Sequence, residues 1–235
     1  LVSQLGIYTL YAVNPVSGEV GTAQLNVVQG KVPTVAVVST LTIYQQVPVD
    51  LTDSSVTVGS TDVDHFNYFM DALCTIPLLN PQAVTVAGVY YIQGVSADGC
   101  TAAKDIRIQD GGVLRVKLDA STSTLKEGES GKFTLRLIDQ SAAPARLQKA
   151  TQFVFTQDDM EGNTHTAGHS RIDGHTTFPF TVEVPAGTAI KEFSIDALDD
   201  KILYNDELLV LLGTNAAIGS ASASVEIIDR TASDP

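Results

Sequence analysis

The sequence contains no tryptophan and little positive charge. Lys and Arg total 14 residues against 27 Asp and Glu, which gives a formal net charge of −13 at pH 7. Because contacts with phosphate need basic patches, this balance argues against binding of nucleic acid, and for the same reason against a basic membrane-surface segment. The lack of Trp removes the platform on which many carbohydrate-binding modules stack sugars, and leaves only Tyr for that role.

Long apolar runs and enzyme motifs are also missing. No stretch approaches the ~20 residues of a membrane span, so we expect no membrane insertion. The first residues, LVSQLGIYTL, have neither a basic region nor a small-residue cleavage site; we therefore expect no signal peptide and interpret the chain as an internal piece of a longer one. There is no Gly-rich phosphate loop and no nucleophile elbow around GHS at 168–170. These absences predict that the protein is not an enzyme.

Cysteine occurs only twice, as Cys74 and Cys100. Each lies at the edge of a strand-like run, and the span between them has the length of two strands plus a connection. Two buried thiols are one interpretation, and a disulfide is the one that we favour. In the loop-entropy model such a bridge contributes about 3–4 kcal/mol, and it would place the protein outside the cytoplasm.

Short β-strand patterns, in contrast, fill the chain. Runs such as TAQLNVV, KFTLRLID, TQFVFTQ and SASVEIID are rich in Val, Ile, Thr and aromatic residues, and turn residues separate them. This spacing predicts an all-β fold of tandem antiparallel β-sandwiches. The one exception is DVDHFNYFMDALC at 62–74, where Phe66, Phe69, Met70 and Leu73 have helical spacing and predict a short helical turn that fills the end of the sandwich. An exposed aromatic contact site is the alternative.

Two features divide the chain into parts. The glycines of DGG at 110–112 break the strand pattern. In addition, GIYTLYAVNPVSGEVGTAQLNVV (6–28) reads like GVYYIQGVSADGCTAAKDIRIQ (88–109), with Gly-apolar-Tyr, a strand, a Gly-containing turn and a second strand. We predict a closing hairpin of a preceding repeat at 1–29, a β-sandwich at 31–110 and another at 113–230. Since an isolated two-stranded hairpin is only marginally stable in water, we expect 1–29 to pair with residues outside this chain or to be built into the next domain.

The motif GVYYIQGVSADGC resembles the closing hairpin of the small Ig-like repeats in large surface adhesins of gliding bacteria. The resemblance covers roughly 31–110, with a partial copy at 1–29 that lacks the Cys. In that family the Cys of the hairpin pairs with an upstream Cys, which implies the pair Cys74 and Cys100. A generic Ig-like sandwich that reached the same pattern by convergence stays open as the alternative.

Acidic turns recur in a set order along 113–230, in STLKEGESGKFTLRLID, FVFTQDDMEG, GTAIKEFSIDALDDKILYNDELLVLLG and IGSASASVEIIDR. This order resembles the Calx-β module, a seven-stranded sandwich of sodium–calcium exchangers, integrin tails and bacterial surface proteins. The family binds Ca²⁺ where acidic loops converge at one end, and Ca²⁺ takes 6–8 oxygen ligands. The ligands that the resemblance implies are Glu127, Asp158, Asp159, Asp199, Asp200 and Asp229, with Asp206 and Glu207 in second rank.

One departure from the family weighs against such a site. Family members often have a Glu four residues after the Asp-Asp pair, where this chain has Tyr204, so one expected ligand is missing. Asp196 falls inside a strand, and we leave it out of the ligand set. The alternative is that the acidic run merely solvates the end of a strand. His165, His169 and His175 have intervals compatible with zinc, but no Cys is near, so we interpret them as exposed loop residues.

The combined prediction is a non-catalytic structural and adhesive segment of a long, modular bacterial surface filament, similar to gliding-motility adhesins. It would be extracellular, stapled by a disulfide and stiffened by Ca²⁺. Its partners would be neighbouring modules of the same or another chain, with surface polysaccharide or protein as adhesion ligand. Two alternatives remain: an accessory module of a secreted enzyme that binds its ligand through the 160–177 loop, and a strand-exchange fibre subunit, suggested by the hairpin at 1–29.

Overall fold

The structure, a computed structural model, describes residues 4–45, 47–157, 170–199 and 206–229. All regular structure in these ranges is β-strand, without any helix, as the strand patterns predict. The strands are β1 (Gly6–Val13), β2 (Val20–Val27), β3 (Thr40–Ile43), β4 (His65–Phe69), β5 (Gly88–Val95), β6 (Thr101–Asp110), β7 (Arg115–Ala120), β8 (Thr124–Lys126), β9 (Ser130–Ile138), β10 (Thr151–Gln157), β11 (Ser170–Ile172), β12 (Phe180–Val184), β13 (Ile190–Ala197), β14 (Glu207–Asn215) and β15 (Gly219–Ile228).

The Cα positions group into two compact units. Unit 1 comprises Leu1–Ser39, Ser54–Leu79 and Val89–Ile106, and unit 2 comprises Thr40–Asp53, Asn80–Gly88 and Arg107–Pro235. Each unit thus collects separate stretches of the chain. The boundaries predicted from the sequence, 1–29, 31–110 and 113–230, are drawn on a different basis and stay a prediction.

Unit 2 contains a β-sandwich. One sheet has the strand order β12-β10-β14-β15-β8, and the other has the order β11-β13-β9-β7. The pairing is antiparallel except for β8, which runs parallel to β15, and β3, which runs parallel to the end of β6. These two short parallel pairings depart from the purely antiparallel arrangement that the sequence predicts.

Aromatic side chains fill the space between the two sheets of the sandwich. Phe155 of β10 meets Phe193 of β13 edge to face, with ring centroids 5.1 Å apart, and it stacks on Phe180 at 5.5 Å. Such pairs contribute about 0.5–1.5 kcal/mol each beyond the burial of their area. Gly213 lies opposite Phe155 in the register, and a Cβ there would stand 2.6 Å from its ring. A glycine at the end of LLVLLG therefore leaves room for the central phenylalanine.

Unit 1 contains two pairs of neighbouring strands that matter below. β1 pairs with β2 along its whole length, from Gly6↔Val27 to Val13↔Val20. β5 pairs with β4, with Ile92 opposite Tyr68 and Gly94 opposite Phe66. The helical turn predicted at 62–74 is therefore wrong. In a strand, Phe66 and Tyr68 both lie on the face that carries buried Ile92, and this burial outweighs the helical spacing of the apolar residues.

Candidate functional site

Five strand ends of unit 2 meet at one end of the sandwich. β8 ends at Lys126, and the turn 127–129 leads across to β9 in the other sheet. β14 begins where β15 ends, because Glu207 lies opposite Ile227, and Ile227 in turn lies opposite Leu125 of β8. In the second sheet, the end of β13 lies beside the start of β9, with Asp196 opposite Ser130. We call this end, residues 126–130, 196–199, 206–207 and 227–229, the acidic rim.

Backbone hydrogen bonds join the segments of the acidic rim. The amide of Gly128 donates to the carbonyl of Ala197 at 2.9 Å, and the amide of Ala197 donates to the carbonyl of Glu129 at 3.0 Å. The amide of Glu127 donates to the carbonyl of Ile228 at 3.1 Å. The amide of Asp229 donates to a carboxylate oxygen of Asp206 at 3.2 Å. The turn at 127–129 is therefore bonded to the ends of both β13 and β15.

The carboxylates of the acidic rim differ in burial. Glu127 is 6% exposed and Glu207 is 9% exposed, whereas Asp199 and Asp206 are exposed and Asp229 is half-buried. Ionised carboxylates are rarely this buried unless other groups stabilise them. The oxygen-only chemistry of this set suits Ca²⁺ better than a transition metal, because it contains neither His nor Cys.

Other acidic side chains at the same end are engaged in local bonds. One oxygen of Glu129 accepts the amide of Lys126 at 3.0 Å. One oxygen of Asp196 accepts the hydroxyl of Ser130 at 2.7 Å. Both bonds hold the crossing between the sheets in place, so these two carboxylates have a structural role in the turn.

The sequence-predicted ligands thus divide into two sets. The structure brings Glu127, Asp206, Glu207 and Asp229 to the acidic rim, and Asp199 lies two residues beyond the end of β13. Asp158, Asp159 and Asp200 lie outside the described residues, as do Tyr204, His165 and His169. Within the described part of the chain, no three or more His, Cys, Asp or Glu side chains are close enough together to hold a metal ion. Metal ligation here therefore stays a prediction.

The predicted disulfide between Cys74 and Cys100 is wrong, because both residues are free thiols in the structure. The sulfur of Cys100 lies against Gly30, where a Cβ would be only 2.5 Å from it. Cys74 sits in a turn, at φ 54°, and its amide donates to the carbonyl of Asp71. Burial, and to a smaller extent the Asp71 carboxylate, raise the pKa of the Cys74 thiol.

A second acidic feature, in unit 1, was missed by the sequence reasoning. A cavity of about 280 Å³ is lined by 31, 62–64 and 96–98. The ammonium of Lys31 pairs with Asp62 at 2.6 Å, and the amide of Lys31 donates to Asp98 at 2.9 Å. The apolar spacing of DVDHFNYFMDALC predicts a helical turn, and this prediction gives no role to its first two aspartates. Lys31 thus bonds to Asp62 through its ammonium and to Asp98 through its backbone amide, and these local contacts account for the arrangement.

Comparisons with known proteins show that this chain resembles some solved structures in fold. No protein-family model matches the sequence, and no curated protein matches it. Among solved structures, the apo form of the Calx CBD1 domain matches 50% of this chain and 99% of its own, with 13% identity and a TM-score of 0.33. The adhesin InvE of Yersinia pseudotuberculosis matches 62% of this chain and 41% of its own, at 11% identity and a TM-score of 0.37.

A β-glycosidase from Bacteroides vulgatus also matches, over 68% of this chain and 21% of the enzyme, with 12% identity and a TM-score of 0.35. This chain thus spans less than half of the adhesin and about a fifth of the β-glycosidase. At these identities and TM-scores the likenesses carry no inference about function. The strands and their sheets define an all-β protein with a β-sandwich, and the acidic rim lies at one end of that sandwich. In the described residues, no helix is long and apolar enough to cross a membrane.

Proposed function

We propose that this chain is a non-catalytic structural segment of a modular, extracellular surface adhesin, and that Ca²⁺ binds at the acidic rim of unit 2. The observation that supports the metal is the convergence of Glu127, Asp206, Glu207 and Asp229 from three different strand ends. Carboxylates gathered at one end of a sandwich repel each other unless protons, hydrogen-bond donors or a cation offset the repulsion. A divalent cation would offset it and tie the strand ends together.

The role of the metal in such a segment is mechanical. Glu127 follows β8, Asp206 and Glu207 precede or begin β14, and Asp229 follows β15. A cation held by these groups would add oxygen–metal bonds between strand ends that single backbone hydrogen bonds now join. The segment would then resist unfolding from this end, which is a useful property in a surface filament under load.

A calcium titration of the intact chain tests this proposal. We expect Ca²⁺ to raise the melting temperature and chelation to reverse the gain; at 100 times the Kd, linkage gives about 2.7 kcal/mol. Asp206→Asn should reduce the gain, since it removes a rim carboxylate from an exposed position. Glu183→Gln is the matched control, because Glu183 pairs across from Gln152 at the start of β10, away from the rim. An unchanged melting temperature at millimolar Ca²⁺ would contradict the proposed Ca²⁺ site.

The adhesive role needs a separate measurement. Binding of the intact chain to arrays of surface polysaccharides distinguishes a spacer from a ligand-binding module. Selective binding of one glycan class would favour the alternative of an accessory module of a secreted enzyme. No binding, together with a Ca²⁺-dependent melting temperature, is the result that we expect for a structural segment.

A further inference from the structure

The hairpin of β1 and β2 has one wholly apolar face. Residues directly opposite each other in an antiparallel pair share a face, and successive residues alternate. By the register, one face carries Tyr8, Leu10, Ala12, Ala23, Leu25 and Val27 together with Gly6 and Gly21. The other face is mixed: it carries the polar residues Thr9, Thr22, Gln24 and Asn26 and the apolar residues Ile7, Tyr11, Val13 and Val20. We call the first set the apolar hairpin face. Leu10 is 56% exposed and Leu25 is 48% exposed, so this face is largely open to solvent.

The same face is buried in the second hairpin of the same pattern. Aligning GIYTLYAV with GVYYIQGV places Tyr8, Leu10 and Ala12 at the positions of Tyr90, Ile92 and Gly94. Tyr90 and Ile92 are buried, and so is Ile106 of β6. The apolar hairpin face is therefore equivalent in sequence to a face that is part of a core. Apolar surface of this kind is exposed in few monomeric proteins unless it binds something.

The second hairpin also shows what lies beside such a face. β5 lies between β6 and β4, so its second edge is occupied by an antiparallel strand. Phe66 and Tyr68 of β4 lie opposite Gly94 and Ile92. Val35 and Val63 also reach this face, because a Cβ at Gly94 would stand 2.7 Å from the side chain of Val35 and 3.0 Å from that of Val63. The edge of β5 is thus paired with a strand that carries two alternating aromatic side chains, and two valines lie against the same face.

In the first hairpin, the equivalent edge has no such strand. Within the described residues, β1 pairs only with β2. Ala12 takes the position of Gly94, and its small side chain leaves space for an aromatic residue opposite. Leu10 takes the position of Ile92 and offers the apolar partner for a second aromatic residue.

We propose that the outer edge of β1 and the apolar hairpin face bind an extended segment of another polypeptide, which adds as an antiparallel strand of the β4 type. Main-chain hydrogen bonds to the edge give affinity, and side chains on alternate positions give specificity. An aromatic residue lies opposite Ala12, and another lies opposite Leu10. This site is in a different part of the chain from the acidic rim and does not rest on Ca²⁺ binding.

A peptide of residues 61–72, TDVDHFNYFMDA, is the probe, because it contains β4 and Val63. We expect the intact chain to bind the fluorescent peptide saturably, as measured by anisotropy. Leu10→Lys should weaken binding about tenfold or more, since burial of one Leu side chain is worth that much. Thr9→Lys adds the same charge on the opposite face and should leave the affinity unchanged. A peptide with F66S and Y68S should bind weakly to the unaltered chain, which tests the aromatic contacts without any change to the hairpin.

Hydrogen exchange locates the bound peptide. The proposal expects new protection at the amides of β1. Absence of binding, equal binding to the Leu10→Lys chain, or protection confined to β5 would overturn it; the last result would mean that the peptide replaces β4. A chain that is dimeric on its own, with β1 already protected, would also overturn it, because a second copy would then be the occupant.

Discussion

The two hairpins of unit 1 share a sequence pattern but differ in their surroundings. In the hairpin of β5 and β6, Ile92 and Ile106 are 0% exposed. In the first hairpin, Leu10 at the position of Ile92 and Leu25 on the same face are about half exposed. The alternation of apolar residues decides which face of a hairpin is apolar. Whether that face is buried depends on the segments that cover it, which lie elsewhere in the sequence.

The largest difference is expected from truncating equivalent side chains. Ile92→Ala leaves a cavity in a packed face and should lower the free energy of unfolding by about 2–5 kcal/mol. Leu10→Ala removes a side chain that is already open to water and should cost less than about 0.5 kcal/mol. Urea unfolding of both variants measures the contrast. Equal losses would mean that the first hairpin is buried in solution and that the two do not differ.

A smaller difference is expected from adding a methyl group to each hairpin. A Cβ at Gly94 would lie 2.7 Å from a methyl group of Val35 and 3.0 Å from one of Val63, so Gly94→Ala forces the cover to shift and should cost about 1–3 kcal/mol. At Gly21 the nearest atom would be a backbone oxygen 3.9 Å away. Gly21→Ala is therefore the matched control and should leave the thermal midpoint unchanged. A neutral Gly94→Ala would mean that Val35 and Val63 do not hold this face tightly.

Local pattern predicts the fold class because strand alternation and turn residues are local properties. The all-β architecture, the long strands and the hairpins follow from it. The segment TVAVVST at 34–40 has an equally strong strand pattern, yet only its last residue belongs to a strand, β3. Thr34 bonds to Thr61 and Val38 bonds to Val56, and these isolated backbone contacts do not form a continuous strand pairing. The three-residue strand β8 has too few residues for alternation to be recognised.

The candidate site is predictable only in part, for the same reason. The order of acidic turns indicates which carboxylates stand at strand ends, and the register then brings Glu127, Asp206 and Asp229 to one end. The prediction of a disulfide is wrong because a disulfide depends on the directions of two side chains that are distant in sequence. The sequence spacing between Cys74 and Cys100 does not reveal that the Cys100 sulfur lies against Gly30.

The smallest effect on stability is expected from a reducing agent. This test concerns the turn of the second hairpin, which contains Cys100, whereas the turn of the first hairpin contains no Cys. Since Cys74 and Cys100 are thiols, reduction should leave the unfolding midpoint unchanged, and iodoacetamide should alkylate both residues in denaturant without prior reduction. In the folded chain, Cys74 should react more slowly than an exposed thiol near neutral pH, because burial and then Asp71 raise its pKa and lower its thiolate fraction. Mass spectrometry after alkylation measures both. A mass lower by two hydrogens, with alkylation only after reduction, would restore the bridge and give the covered hairpin a covalent tie that the exposed one lacks.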